Sequence, residues 1–343
     1  MDRGLCRLVG SKLCVYTDTS FSDGRGISLF TTPELAEHAL ALPPFQNPDA
    51  LKGINKASGT WYTQEIPGKG MGMLAKRDLQ SKDRITAHTP ALLAYLESDL
   101  STTEREKFFK LAVSQLPEET REMYLGLATV YGLPQVKYQD VVKANTFQLD
   151  IDGHNHLAVF PETSRMNHAC APNAQYYLDP TLLTHFVHVT RPVKEGEEIT
   201  ISYTSPLDPT HIRQQRLSQG FHFTCTCTRC IDHERTDTVL QHIQAMQNSL
   251  NDWSPSSTGS PDVAEELLDA YRQEGLEGFM DIPYGFAALA YNAANDEGMA
   301  AEYAERAEEL ILLKDGAWAP NLRIWQELLR DPRGHWSYGR RMG

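Results

Sequence analysis

Asn167-His168-Ala169-Cys170-Ala171-Pro172-Asn173, Gly196-Glu197-Glu198-Ile199-Thr200-Ile201-Ser202-Tyr203 and Cys225-Thr226-Cys227-Thr228-Arg229-Cys230 follow one another along the chain, and their joint reading decides the fold. The third string is C-x-C-x2-C. Thiols this close along the backbone bridge each other poorly, whereas a metal ion can take several of them as thiolates. From spacing alone a metal site competes with a disulfide or free thiols, and Cys170 of the first string is a plausible fourth ligand. The second string is a Gly-Glu-Glu turn feeding an alternating strand that ends on a tyrosine.

Upstream, residues 1–57 form an opening segment with a helix from Pro33 through Leu42, stopped by Pro43-Pro44. From Trp61 to about Tyr95, short alternating runs between glycine turns predict strands. Over 99–144 the period changes: Phe108, Phe109, Ala112 and Leu116 recur at helical spacing, so a helical insert is expected. Strand text resumes from Thr146 to Tyr203. Asp152-Gly153 reads as a hairpin turn, with His154 and His156 as exposed imidazoles and not a metal cluster. His185 and His188 fall on opposite faces of one strand and cannot share a ligand. Beyond Ile231 the text is helical, broken by the turn-rich 254–261; two amphipathic segments meet at a turn over 295–298, with no clean repeat period.

The 343 residues carry a net charge of −13, which disfavours a protein that binds nucleic acid directly. From Thr236 onward 8 Lys and Arg face 18 Asp and Glu, so the excess acid lies in the last third and suits a basic partner or a solvated helical surface. No apolar run reaches the roughly 18 residues that a membrane helix needs. The charged N-terminus and the lack of an Asn-x-Ser/Thr sequon favour an intracellular, reducing compartment.

Taken together, the strings resemble the C-terminal half of a SET-domain methyltransferase and its zinc-binding post-SET segment; the helical tail is similar to SMYD-type and fungal SET proteins lacking a MYND finger. The resemblance implies an α+β fold, mainly β in its SET core, with a knot-like crossing of the Asn167 and Tyr203 segments. Its parts would be an N-terminal segment 1–57, a SET domain 58–206 with the insert 99–144, a post-SET segment 207–235 and an acidic helical region 236–343. It implies a structural zinc ion on Cys170, Cys225, Cys227 and Cys230. S-adenosylmethionine would be bound by Lys69, Gly70 and Met71 of the Gly68-Lys69-Gly70-Met71-Gly72 loop, by Asn167 and His168, and by Tyr203 and Phe223. Gly24-Arg25-Gly26 is an alternative loop. Tyr203 would be catalytic, and Phe221 and Asn145 would line the lysine channel, with Phe147 beside them. Ala169 replaces the usual serine, which loses one hydroxyl hydrogen bond and not the fold; Phe221 replaces the frequent tyrosine, which leaves the methylation number open.

The expected activity is lysine N-methylation of a histone or another basic protein by a monomer located in the cytoplasm, the nucleus or both. A non-catalytic adaptor using the acidic helices and a SET-fold enzyme of small-molecule metabolism are the alternatives. Cys6 and Cys14 receive no role.

Overall fold

The computed structural model describes residues 2–9 and 11–341, and side chains from Leu13 onward apart from Pro48. Its strands are β1 (Asp2–Val9), β2 (Ser11–Asp18), β3 (Ile27–Thr31), β4 (Trp61–Ile66), β5 (Gly70–Ala75), β6 (Arg84–His88), β7 (Leu92–Tyr95), β8 (Thr146–Ile151), β9 (His154–Val159), β10 (Asn167–His168), β11 (Ala174–Asp179), β12 (Thr184–Val189) and β13 (Glu198–Ile201). Three sheets result, in the orders β1-β2-β3-β7-β9-β8, β10-β13-β5-β4 and β11-β12-β6. The fold is α+β. The side chain of Cys6 lies outside the described residues; Cys14 is buried.

The first three strands, β1 to β3, are built into the largest sheet, where β3 runs parallel to β7. Every residue of β3 is buried, so its text Ile-Ser-Leu-Phe-Thr lacks the alternation of a half-exposed strand. Period two sorts the sheet's side chains between two cores. Leu13, Val15, Phe30, Leu92 and Ala94 meet the insert's Phe108, Phe109, Ala112 and Val113, while Cys14, Tyr16, Leu29 and Leu93 pack with Ala36, Ala39 and Phe186.

The insert comprises helices Thr102–Ser114, Glu118–Leu125 and Lys137–Asn145. Ser101 and Glu104 form a reciprocal cap that satisfies two first-turn donors. The earlier helix is Pro33–Leu40, two residues shorter than its text suggests. Leu42 is already extended, as a residue preceding proline must tend to be.

Asp152 and Gly153 both have positive φ and close the β8–β9 hairpin. His154 is exposed there, but His156 is only 1% exposed, with Nε2 2.9 Å from Thr31 Oγ1. The two imidazoles share a strand face, yet His156 lies two pairs further from the turn, opposite Tyr95 of β7. Its expected exposure is thereby corrected.

The tail consists of helices His233–Asn251, Pro261–Gln273, Asp281–Ala293, Glu297–Lys314 and Leu322–Arg330, built around a core of their own. Ala287, Ala288 and Ala290 share that core with Ala300, Ala304 and Ala307 of the next helix, and all six are buried. Among the described residues no helix is long and apolar enough to cross a membrane.

On β12, His185 is fully buried against Phe147, Phe160 and Tyr176, with both ring nitrogens unpartnered; His188 stacks on Tyr177 across the sheet. Burial, reinforced by the neighbouring His88, lowers the His185 pKa to about 3. The unfolded chain therefore binds this proton more readily between about pH 6.5 and 3, and stability is lost as pH falls through that window. His185→Phe is expected to flatten this part of the stability profile, as read by urea denaturation at a series of pH values.

Candidate active site

The site begins where two short strands meet. β10 and β13 pair in parallel, Asn167 with Thr200 and His168 with Ile201. Asn173, at the end of the first string, braces the junction: its Oδ1 accepts from Thr200 N–H at 2.8 Å and its Nδ2 donates to the Glu198 carbonyl at 2.8 Å. Tyr203 emerges just beyond β13. Its hydroxyl donates to the Met166 carbonyl at 2.6 Å, and its backbone N–H donates to His168 Nδ1 at 3.0 Å.

That second bond fixes the histidine tautomer. Burial lowers the His168 pKa to about 4, so the ring is neutral near pH 7. With Nδ1 accepting, Nε2 carries the proton, and it lies 3.2 Å from Cys170 Sγ. Burial, with the Glu198 charge adding to it, holds the Tyr203 hydroxyl well above its ordinary pKa. Tyr203 is therefore a neutral phenol across the useful pH range.

Glu198 gathers two of the expected cofactor residues. Its Oε2 accepts from Lys69 Nζ at 2.6 Å and its Oε1 from Asn167 Nδ2 at 2.9 Å. Lys69 and Gly70 belong to the β4–β5 hairpin, and Met71 is exposed on β5. Gly72 is closely covered: a Cβ there would lie 2.2 Å from Ile66 Cδ1, 3.0 Å from Asn167 Nδ2 and 3.1 Å from Glu198 Oε1, so these side-chain ends would have to shift to admit one. Glu197 instead ties its own turn, accepting from Arg191 and from the Lys194 backbone. Both glutamates are occupied in holding structure.

The helix Thr210–Phe221 returns the chain to this crossing, and His222 then turns it in a left-handed conformation. The ring of Phe221 lies 4.7 Å from that of Tyr203; Phe223, partly exposed, lies 6.5 Å from Tyr203 and 6.1 Å from His168. Asn145 is differently employed: its amide donates to the carbonyls of Ala128 and Val141, both at 2.8 Å, and so fastens the insert. Phe147 packs on the core that Tyr203 also joins. Arg25 of the alternative glycine loop is paired with Glu162, both side chains buried.

The sulfurs of Cys170, Cys225, Cys227 and Cys230 all lie within 4.8 Å of one another, and Cys170 and Cys230 are 3.6 Å apart. A tetrahedral ion with sulfur ligands at about 2.3 Å requires edges near 3.8 Å. The quartet therefore fits one metal ion, and a complete sulfur shell leaves that ion no open position. Leu217, Phe221 and Tyr203 pack directly on these sulfurs. Fully buried Arg213 reaches to 4.0 Å from Cys230 Sγ and donates to the Asp208 carbonyl at 2.6 Å, a cation that favours thiolates. The sequence offered no signal for Arg213 beyond its place in an ordinary helix.

Beside the crossing opens a cleft of about 510 Å³. Residues 175–178, Ser202 and 204–207 form one wall; Phe279, Ile282, Lys314, Asp315 and Trp318 from the tail form the other.

The chain is 26% identical over 278 residues to the histone-lysine N-methyltransferase set5 of Schizosaccharomyces pombe, an alignment covering 79% of this chain and 83% of that protein. It is 31% identical over 137 residues to the N-lysine methyltransferase SMYD2 of Gallus gallus, covering 38% of this chain and 30% of the relative, and 35% identical over 96 residues to human SMYD2, covering 27% and 22%. The chain thus spans less than a third of these SMYD2 proteins. The SET domain profile matches residues 70–204, from the first residue of β5 to the residue after Tyr203. Those residues of this chain are a SET domain.

Proposed function

We propose that the chain is a lysine N-methyltransferase that uses S-adenosylmethionine on a histone or another basic protein. The observation that carries this reading is the enclosure of one neutral phenol, Tyr203, by the β10–β13 crossing, the Phe221 ring and the sulfur quartet. Relatives whose names specify lysine methylation give it support over most of this chain in one case.

Lys69, Gly70, Met71, Asn167, His168 and Phe223 would hold the cofactor. The glycine hairpin offers backbone groups and an ammonium to its carboxylate, and Phe223 offers a ring face. Bound there, S-adenosylmethionine supplies an electrophilic methyl group on a sulfonium, which a neutral amine takes up to leave a thioether. Because the Tyr203 proton is held by the Met166 carbonyl, the phenol oxygen keeps lone pairs with which to accept from the amine and orient it. A raised pKa suits that role, since the phenol acts as a fixed dipole and takes no proton. The apolar ring of Phe221 disfavours the charged ammonium form of a lysine beside it, leaving water to take the proton.

In the same reading the sulfur quartet holds a structural zinc ion. It pins the segment carrying Phe221 and Phe223 against Tyr203 and takes no part in the chemistry.

Incubation with labelled cofactor and histones or basic peptides tests the activity. Label is expected on lysine, and Tyr203→Phe is expected to lower kcat by about 100-fold while the cofactor dissociation constant stays within roughly threefold. Cofactor binding without transfer to any basic protein would instead support the adaptor reading. Metal analysis should find about one zinc per chain, and Cys227→Ser should shed it with a lower melting temperature and weaker cofactor binding.

A further inference from the structure

Arg229 lies inside the C-x-C-x2-C string, between two of the sulfur ligands, and is buried. Its Nη1 donates to the carbonyl of Cys170 at 2.6 Å and to that of Pro206 at 3.0 Å. One guanidinium therefore grips both segments of the crossing, the first at the residue that supplies the fourth sulfur, the second three residues beyond Tyr203. What holds the guanidinium comes from the tail. Glu274, the residue capping helix Pro261–Gln273, has a fully buried carboxylate whose Oε2 accepts from Arg229 Nε at 2.8 Å, and whose other oxygen accepts from Arg235.

A second observation, independent of these charges, places the same segment on the same surface. A Cβ on Gly275 would lie 3.2 Å from Ala171 Cβ; one on Gly278 would lie 2.6 Å from Gln175 Cγ and 3.1 Å from Thr190 Cγ2. The stretch 274–278 thus lies flat against the residues that follow Cys170, tightly at Gly275 and with no room for a Cβ at Gly278 unless Gln175 moves.

We propose that Glu274 is a positioning residue for the metal and cofactor sites: through Arg229 it locks the sulfur-bearing knuckle to the crossing, and so sets where Phe221 and Phe223 stand relative to Tyr203. The carboxylate touches neither cofactor nor substrate. It fixes the direction of the guanidinium, and the guanidinium fixes two carbonyls. A neutral amide at this position leaves Arg229 buried without a counter-charge and free to turn off Cys170 and Pro206. Gly278→Ala reaches the same end without touching the charges, by lifting the segment from Gln175.

The proposal rests on the quartet being the zinc centre and on the cofactor lying beside Tyr203, so both are measured first in the wild-type chain, by release of metal to a colorimetric chelator and by calorimetric titration with S-adenosylmethionine. A wild-type chain lacking either would overturn that reading, whatever the variants do. Given both, Glu274→Gln is expected to release metal about 10-fold faster and to weaken cofactor binding severalfold, the loss in KM for the cofactor exceeding that in kcat. Gly278→Ala should move both readings in the same direction and decides the matter if Glu274→Gln does not fold. Folded variants with wild-type metal release and cofactor affinity, or variants whose only change is a lower melting temperature, would refute the positioning role. So would the failure of both to accumulate as folded protein, which would assign the contact to folding alone.

Discussion

Two backbone pairs, Asn167 with Thr200 and His168 with Ile201, are the constraint on which the rest of the site depends. Chains seldom cross in this way, because threading costs entropy before any contact repays it. So short a ladder cannot hold such a crossing by itself. It is held by polar side chains: Asn173, in the loop that follows β10, bonds to two residues of β13, and His168 accepts from the Tyr203 backbone while turning its other nitrogen to a sulfur. The Tyr203 backbone amide, the imidazole and the thiol are thus linked in one series, while the phenol hydroxyl is held separately by the Met166 carbonyl.

The charges nearby follow a consistent pattern. Where the surroundings are dry, ionisable groups are kept neutral, as with Tyr203 and His168, or are matched, as with Glu274 and its arginines. Where solvent reaches, pairs such as Lys69 with Glu198 are half-exposed and contribute little to stability. Their use is geometric, since Glu198 keeps the hairpin lysine and Asn167 on one side of the crossing.

What could be read from the sequence was what local chemistry constrains. The cysteine spacing, the Gly-Glu-Glu turn and strand ending at Tyr203, the insert's helical period and the Asp152-Gly153 turn each declare themselves within a few residues. Features created by distant partners did not. Burial of His156 depends on Thr31, 125 positions away. The placement of β1 to β3 in the main sheet depends on pairing with β7, which no local pattern announces. Asn145 adjoined a recognisable string, but its amide protons go to two carbonyls of the insert. Arg229 and Glu274 are common residue types separated by 45 positions, and only the folded chain shows that they meet.

The matched SET domain ends at residue 204, whereas the carboxylate that neutralises the guanidinium at its back is residue 274. A chain cut after Cys230 but before Glu274 would keep all four ligand cysteines and the phenol and yet leave Arg229 without its carboxylate partner. The boundary of the matched domain is therefore not the boundary of the packed unit, which extends into the helical tail at least as far as Glu274.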